Sequence, residues 1–307
     1  MKKIFNLCAA LLMLCVVIYP AKTSAQPTFT PEESMAAFRE ALMADSDDFQ
    51  RIFKQDMLFV SPFIQAELNI LGDTEKDTFK SAGEFSLWVE DDKGTTTDKT
   101  IPFYMTQNGK DMVIYFKADK KWEKFTAPSL AANITDMLAT PTGAEIEEII
   151  DGTKEVQILQ ENENRRIMLI TVDGDKMADS LKSRAEQNPD NNDADSTQED
   201  AVNYLDTALR NANIWYMWTI DKRDWHTVAL QYQFSGIIQE LARAALNDPT
   251  KTWPDEISQL LETIAYYSEI RSFITYPANP EAKKLIEVPK NVLKAKEIDS
   301  LMSAATK

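Results

Sequence analysis

Histidine occurs once in the 307-residue chain, at His226, and cysteine twice, at Cys8 and Cys15. One histidine and no nucleophile-elbow motif argue against a Ser-His-Asp triad. With no second histidine and no neighbouring cysteine, His226 lacks the company of a typical metal ligand, and a hydrogen-bonded or solvated side chain accounts for it. Glycine is also scarce, at eight residues, so phosphate-cradling loops have little to be built from. Positive charge is short as well: 33 Lys and Arg stand against 49 Asp and Glu. Such an acidic body repels nucleic acid and anionic membrane surfaces and favours a soluble monomer. No cofactor motif is present, and no enzyme class is indicated.

Both cysteines fall in an apolar run, Leu7 to Tyr19, that follows Lys2 and Lys3 and leads to Thr23-Ser24-Ala25 before Gln26. This is the pattern of a cleaved signal peptide, so export to the periplasm or beyond is expected, with cleavage near Ala25. Each cysteine follows a leucine rather than a small residue, which argues against lipidation; no stable membrane anchor is expected. The mature chain, 26–307, then contains no cysteine and folds without disulfides. Loss of Lys2, Lys3 and Lys22, with no acid, moves its formal charge from −16 to −19. At roughly 280 residues it can bury a large core as one domain.

The strongest local signal is Ile101 to Phe125. Asn108-Gly109 separates two apolar runs, which predicts a type I′ hairpin, and Asp119-Lys120 offers a second turn. A three-stranded meander follows. Pro31-Glu32-Glu33 opens a helix whose Met35, Phe38 and Leu42 form one stripe. Phe49, Ile52 and Phe53 read as a second short helix. From Leu58 to Ile70 the period becomes two, with Leu58, Val60, Ala66, Leu68 and Ile70 expected on one face and Pro62 marking an edge strand or a late start at Phe63. Phe85, Leu87 and Val89 make the next strand, and the whole predicts an antiparallel sheet with one apolar face.

After Pro128, a helix bearing Leu130, Ile134, Met137 and Leu138 is expected, then a helix from Ala144 to Ile150. Val156 and Ile158 begin a strand, Arg166 to Val172 reads as a covered central strand, and Asp175 as a helix N-cap. Gln187 to Asp200 lacks apolar residues and predicts a mobile acidic insertion; its acids miss the glycine and terminal glutamate of an EF-hand loop. Ile214–Ile220 and Val228–Phe234 predict strands around a turn at Asp221–Asp224. A helix from Ile237, an ambiguous stretch from Asp255 to Tyr267, a strand from Glu269 to Tyr276, a short strand from Leu285 to Pro289 and a lysine-rich helix complete the chain. Glu145, Glu147 and Glu148 complement a helix dipole.

The export signal, QNGKDMVIYFKADKKWEKF, IDGTKEVQILQENENRRIMLITVDGDK, NIWYMWTIDKRDWHTVAL and IEVPKNVLKAKEI together resemble a bacterial extracytoplasmic domain family of unknown function. That family is similar in architecture to the outer-membrane-lipoprotein carriers and related lipid-carrier lipoproteins. The resemblance spans about Thr30 to Ile298. It implies an α+β fold: a strongly curved antiparallel sheet, or half-barrel, with helices covering its concave apolar face. In carriers the cavity between them holds an acyl chain, so a lipid or other hydrophobic small molecule becomes the expected partner. The chain departs from the lipoprotein members in having no lipidated cysteine and in carrying the 187–200 insertion. Methionine adapts to irregular apolar shapes; the expected pocket wall is therefore Phe103, Met105, Met112, Ile114, Phe116, Ile134, Met137, Trp215, Met217 and Tyr232. Ordinary core packing accounts for any one of these alone. A filled-core structural or protein-interaction module of the envelope is the competing expectation.

Overall fold

Period-two segments dominate the chain and, in the computed structural model, pair into one sheet; residues 29–44, 51–75, 78–90, 94–118, 120–127, 143–187, 196–276 and 285–298 are described. Twelve strands form it: β1 (Arg51–Val60), β2 (Ile64–Glu75), β3 (Thr78–Glu90), β4 (Thr96–Asn108), β5 (Asp111–Ala118), β6 (Lys121–Ala127), β7 (Thr153–Glu161), β8 (Arg165–Val172), β9 (Trp215–Asp221), β10 (Thr227–Gln233), β11 (Glu269–Thr275) and β12 (Lys296–Glu297). Their spatial order is β12-β6-β5-β4-β3-β2-β1-β11-β10-β9-β8-β7. All pairings are antiparallel except β12 beside β6. The sheet is open, with β12 and β7 as its edges. Six helices accompany it among the described residues: α1 (Pro31–Ala44), α2 (Gly143–Asp151), α3 (Gly174–Gln187), α4 (Ser196–Asn211), α5 (Ser235–Leu246) and α6 (Asp255–Tyr267). The fold is α+β.

Thr30 and Glu33 close α1 reciprocally: the Glu33 amide donates to Thr30 Oγ1 at 3.2 Å and the Thr30 amide to Glu33 Oε2 at 2.8 Å, a capping box. The expected stripe then lands on the sheet. Phe38 and Ala41, with Met35 and Leu42, pack against Val156, Met168, Ile170, Trp218 and Ile220, and α2 adds Ile149 and Ile150. Helices α3 and α4 meet around Ala178, Leu209 and Ile214. Strands β1 to β6 form a separate cluster of Phe53, Phe79 and Met112, to which no described helix belongs.

Several expectations are corrected. Phe53 lies in β1, not in a helix, because its alternation continues through Phe59. Pro62 sits between β1 and β2 rather than on an edge, and the hairpin there changes the faces. Leu58 pairs with Glu67 and Phe59 with Ala66, so Leu58 and Val60 leave the face that carries Ala66, Leu68 and Ile70. The loop after β4 is Gly109-Lys110, since Asn108 pairs with Asp111. Only Gly109, at φ +63°, is left-handed, which is the type II′ rather than the type I′ pattern. Asp173, not Asp175, caps α3: its Oδ1 accepts from the amides of Asp175 and Lys176. Ser196 to Asp200, placed in the insertion, begin α4; 188–195 lie outside the described residues. Leu285 and Ile286 form a helical turn, and the expected lysine-rich helix gives way to turns and β12, because Lys296-Glu297 complete the sheet edge beside Glu123-Lys124.

Two glycines admit aromatic rings. A Cβ on Gly72 would lie 2.2 Å from Phe53 Cζ, and one on Gly83 would lie 2.2 Å from the Asn69 carbonyl oxygen and 2.7 Å from Phe103 Cζ. The Gly83 clash is with backbone and cannot be relieved by a rotamer. Gly83→Ala is expected to destabilise by about 3 kcal/mol, from local overpacking, with the loss read as a lower urea midpoint.

Candidate functional site

Cross-strand register defines which side chains share a face. One row runs Phe116–Phe103–Gly83–Ile70–Gln55–Ile274–Leu230–Trp218–Met168–Ile158, from β5 across to β7. Beside it runs Ile101–Phe85–Leu68–Met57–Ser272–Tyr232–Tyr216–Ile170–Val156. A third row carries Phe125, Ile114, Met105, Ser81, Gly72 and Phe53. The result is a largely apolar face that crosses the two halves of the sheet, with Gln55 and Ser272 as polar members near its middle. Its outer parts are dense, with Met112 and Met168 fully buried. Its middle is half-buried at Met57, Leu68, Phe85 and Tyr232.

The structure brings six of the expected wall residues onto this face: Phe103, Met105, Met112, Ile114, Phe116 and Tyr232. Trp215 and Met217 alternate with Tyr216 and Trp218 and occupy the opposite face, because side chains in a strand change sides at every residue. Ile134 and Met137 lie outside the described residues. Sequence reading missed Phe53, Phe79, Ile70 and Ile274, which join the β1–β6 cluster. The alternation Phe53-Met57-Phe59 was the available signal for the first of these.

The apolar face has a polar spot at its centre. Gln55 Nε2 donates to the buried Ser272 Oγ at 3.0 Å. Tyr232 follows Ser272 in the row, and Tyr216 follows Tyr232, their rings 5.5 Å apart. Phe234 stacks on Tyr232 at 5.5 Å and 6°. Burial pushes the Tyr216 phenol well above its ordinary value, with Tyr232 adding to the effect. Burial, with Tyr276 nearby, pushes Tyr232 up to about 12. Both hydroxyls therefore stay neutral. Ser81, fully buried in the third row, has no hydrogen-bond partner for its Oγ.

The opposite face carries a solvent-open groove of about 420 Å³, lined by Asp56, Leu58, Glu67, Asn69, Arg271 and Phe273. Met57, Gln231 and Ser272 complete its lining, whose accessible surface is mostly apolar, and none of the expected wall residues is among them.

His226 has closer acidic neighbours than its sequence setting indicated. Asp221, Asp224 and His226 place ligand-type atoms within 4.8 Å of one another at the β9–β10 turn. These groups are already occupied, however. Arg223 donates through its amide, at 3.0 Å, and its guanidinium, at 2.9 Å, to Asp221 Oδ1, and again to Oδ2. His226 Nδ1 is 2.5 Å from Asp224 Oδ1. The side-chain bond from Arg223 holds the Asp221 carboxyl well below the usual carboxylate range, and the bond from His226 lowers Asp224. Glu161 is also lowered: burial raises its pKa, but hydrogen bonds from Arg166 and Lys222 outweigh that.

A pH dependence follows. A carboxyl whose folded pKa is depressed contributes stability that is complete above its unfolded pKa, near 4, and is lost as pH falls toward the folded value. Thermal midpoints should therefore be flat from neutral pH to about pH 5 and fall below about pH 4. An Asp221→Asn variant should show a smaller acid-side decline.

Compared with known proteins, the chain matches no family model and no curated protein sequence.

Proposed function

We propose that the chain is an exported, non-enzymatic protein that holds a lipid or another hydrophobic ligand against its apolar sheet face. The observation that carries this reading is the largely apolar face, which continues from β5 to β7 and is only half-buried at its centre. In this reading the sheet curves into a half-barrel and helices close its concave side, as the resemblance to lipoprotein carriers implies. The packing of α1 and α2 on Met168, Ile170 and Trp218 supports that arrangement. Sequestration needs no charge chemistry, because each methylene removed from water contributes about 0.8 kcal/mol. Among the described residues no helix is long and apolar enough to cross a membrane.

Native mass spectrometry of the protein purified from its own host tests the proposal. The expected result is a bound mass in the range of a lipid, or a shift when lipids are added. Recovery of ligand-free protein alone, unchanged by added lipid, overturns it.

A second reading, an envelope protein-interaction module, is favoured by a different observation. Helix α6 exposes Ile257, Leu260, Tyr266 and Tyr267 on the molecular surface, and exposed apolar clusters mark partner sites. The same spectra discriminate the two: a retained protein mass with no lipid supports this reading.

A further inference from the structure

The apolar face is interrupted at one place, and the chemistry of that interruption specifies its ligand more narrowly. Gln55, Ser272, Tyr232 and Tyr216 lie on consecutive strands β1, β11, β10 and β9, where the two apolar clusters meet. Only one hydrogen bond joins them among the described residues, from Gln55 to Ser272. Burial and neighbouring phenols raise both tyrosine pKa values, and neither hydroxyl is seen to hydrogen-bond a described residue.

Among the described strand neighbours on this face, none of those beside these four residues is charged. Across the strands they pair with Ile70, Ile274, Met57 and Ile170, or with each other. Two residues along each strand stand Phe53 and Met57, Ile270 and Ile274, Leu230 and Phe234, Ile214 and Trp218. A half-buried phenol pair whose hydroxyls make no hydrogen bond to a described residue can bind a carbonyl or hydroxyl oxygen. A carboxylate or phosphate placed there would lose its hydration without meeting a cation.

We infer that this polar spot recognises the uncharged, oxygen-bearing head of a single-chain amphiphile, such as a monoacylglycerol or a fatty alcohol, whose tail lies over Ile70, Phe53 and Met105. The inference rests on the hydrophobic-ligand reading above and adds selectivity for the head. It places Tyr232 and Tyr216 as specificity-determining donors and Gln55 as the group that holds Ser272 in position.

The test is displacement of the neutral fluorophore phenylnaphthylamine from the full mature chain by glycerol monolaurate, laurate and dodecane at neutral pH. Glycerol monolaurate is expected to bind about tenfold more tightly than dodecane, the scale of one or two neutral hydrogen bonds, and roughly tenfold or more tightly than laurate. Tyr232→Phe keeps the ring stack and removes only the hydroxyl. It should reduce the monolaurate advantage by about fivefold and leave dodecane unchanged, which also reports that the variant is folded. Equal binding of monolaurate and dodecane, an unaffected Tyr232→Phe protein, or laurate binding tightest overturns the head-group inference while leaving the carrier reading intact. Failure of all three ligands to bind overturns the carrier reading, and the inference with it.

Discussion

Trp218→Ala is expected to cost about 3–5 kcal/mol, among the largest single losses in this chain. Trp218 is 4% exposed and sits where α1 meets the sheet. The edge of one ring meets the face of the other between Trp218 and Phe38, centroids 5.9 Å apart at 89°. Its register neighbours are Leu230 on β10 and Met168 on β8. Truncation therefore removes a large apolar surface and opens a cavity that three elements cannot collapse into without moving. The indole N–H also donates to Thr227 Oγ1 at 3.0 Å inside the core. A useful partner variant is Thr227→Val, which strands that donor while keeping the ring and should cost about 1–3 kcal/mol. Urea unfolding of the two proteins checks both values. A Trp218→Ala loss below that of Thr227→Val would show that α1 is not fastened at this point.

Removal of Arg166 should be comparably severe, for an electrostatic reason. Arg166 is 8% exposed, yet its guanidinium is fully engaged. It donates to both oxygens of Glu161, at 2.9 and 3.0 Å, and to the Ala37 carbonyl of α1 at 3.3 Å, and it lies 5.5 Å from the centre of the Trp225 ring. Lys222 completes the charge balance at Glu161. Arg166→Ala leaves a nearly buried carboxylate with one cation instead of two and strands the last turns of α1, so a loss of about 3–5 kcal/mol is expected. Arg166→Lys should recover little of it, since an ammonium cannot span both carboxylate oxygens and the helix carbonyl. Arg166→Met combined with Glu161→Leu should recover part of it, because no nearly buried carboxylate is then short of a cation, while Lys222 loses its partner and limits the gain. If the double variant is no more stable than Arg166→Ala, the loss is one of packing and not of desolvated charge. Trp225, beside this network, holds a left-handed φ of +60°, a conformation that costs a bulky residue energy. Its ring lies under Arg166 and packs against the Phe38–Trp218 cluster.

These two sites were legible to different degrees. The apolar stripe of α1 and the strand carrying Trp218 could be read directly, because helix period and strand composition are local properties. The Arg166 network could not. Glu161 and Lys222 are 61 residues apart, and nothing near Arg166 in the sequence marks Ala37 as its acceptor. The expected pocket wall shows the same division. Phe103, Met105, Met112, Ile114 and Phe116 come from one meander whose internal register is fixed by its turns, and they share a face. Trp215 and Met217 were assigned by composition, without parity, and parity places them on the other side. The polar spot was only partly legible for a third reason: Tyr232 stood out as a wall residue, but its partners come from three other strands, and Gln55 and Ser272 look unremarkable where they stand.

The sequence by itself determined most of the strands and helices and that one sheet face would be apolar, since these follow from side-chain period and from glycine and proline placement. It also determined the acidic balance of charge. Tertiary structure alone decided that β1 lies beside β11 and that β12 closes the other edge against β6, because pairing between distant strands depends on hydrogen-bond register that leaves no local mark. Those pairings merge the apolar faces of two meanders into one surface and set Gln55, Ser272, Tyr232 and Tyr216 at its centre.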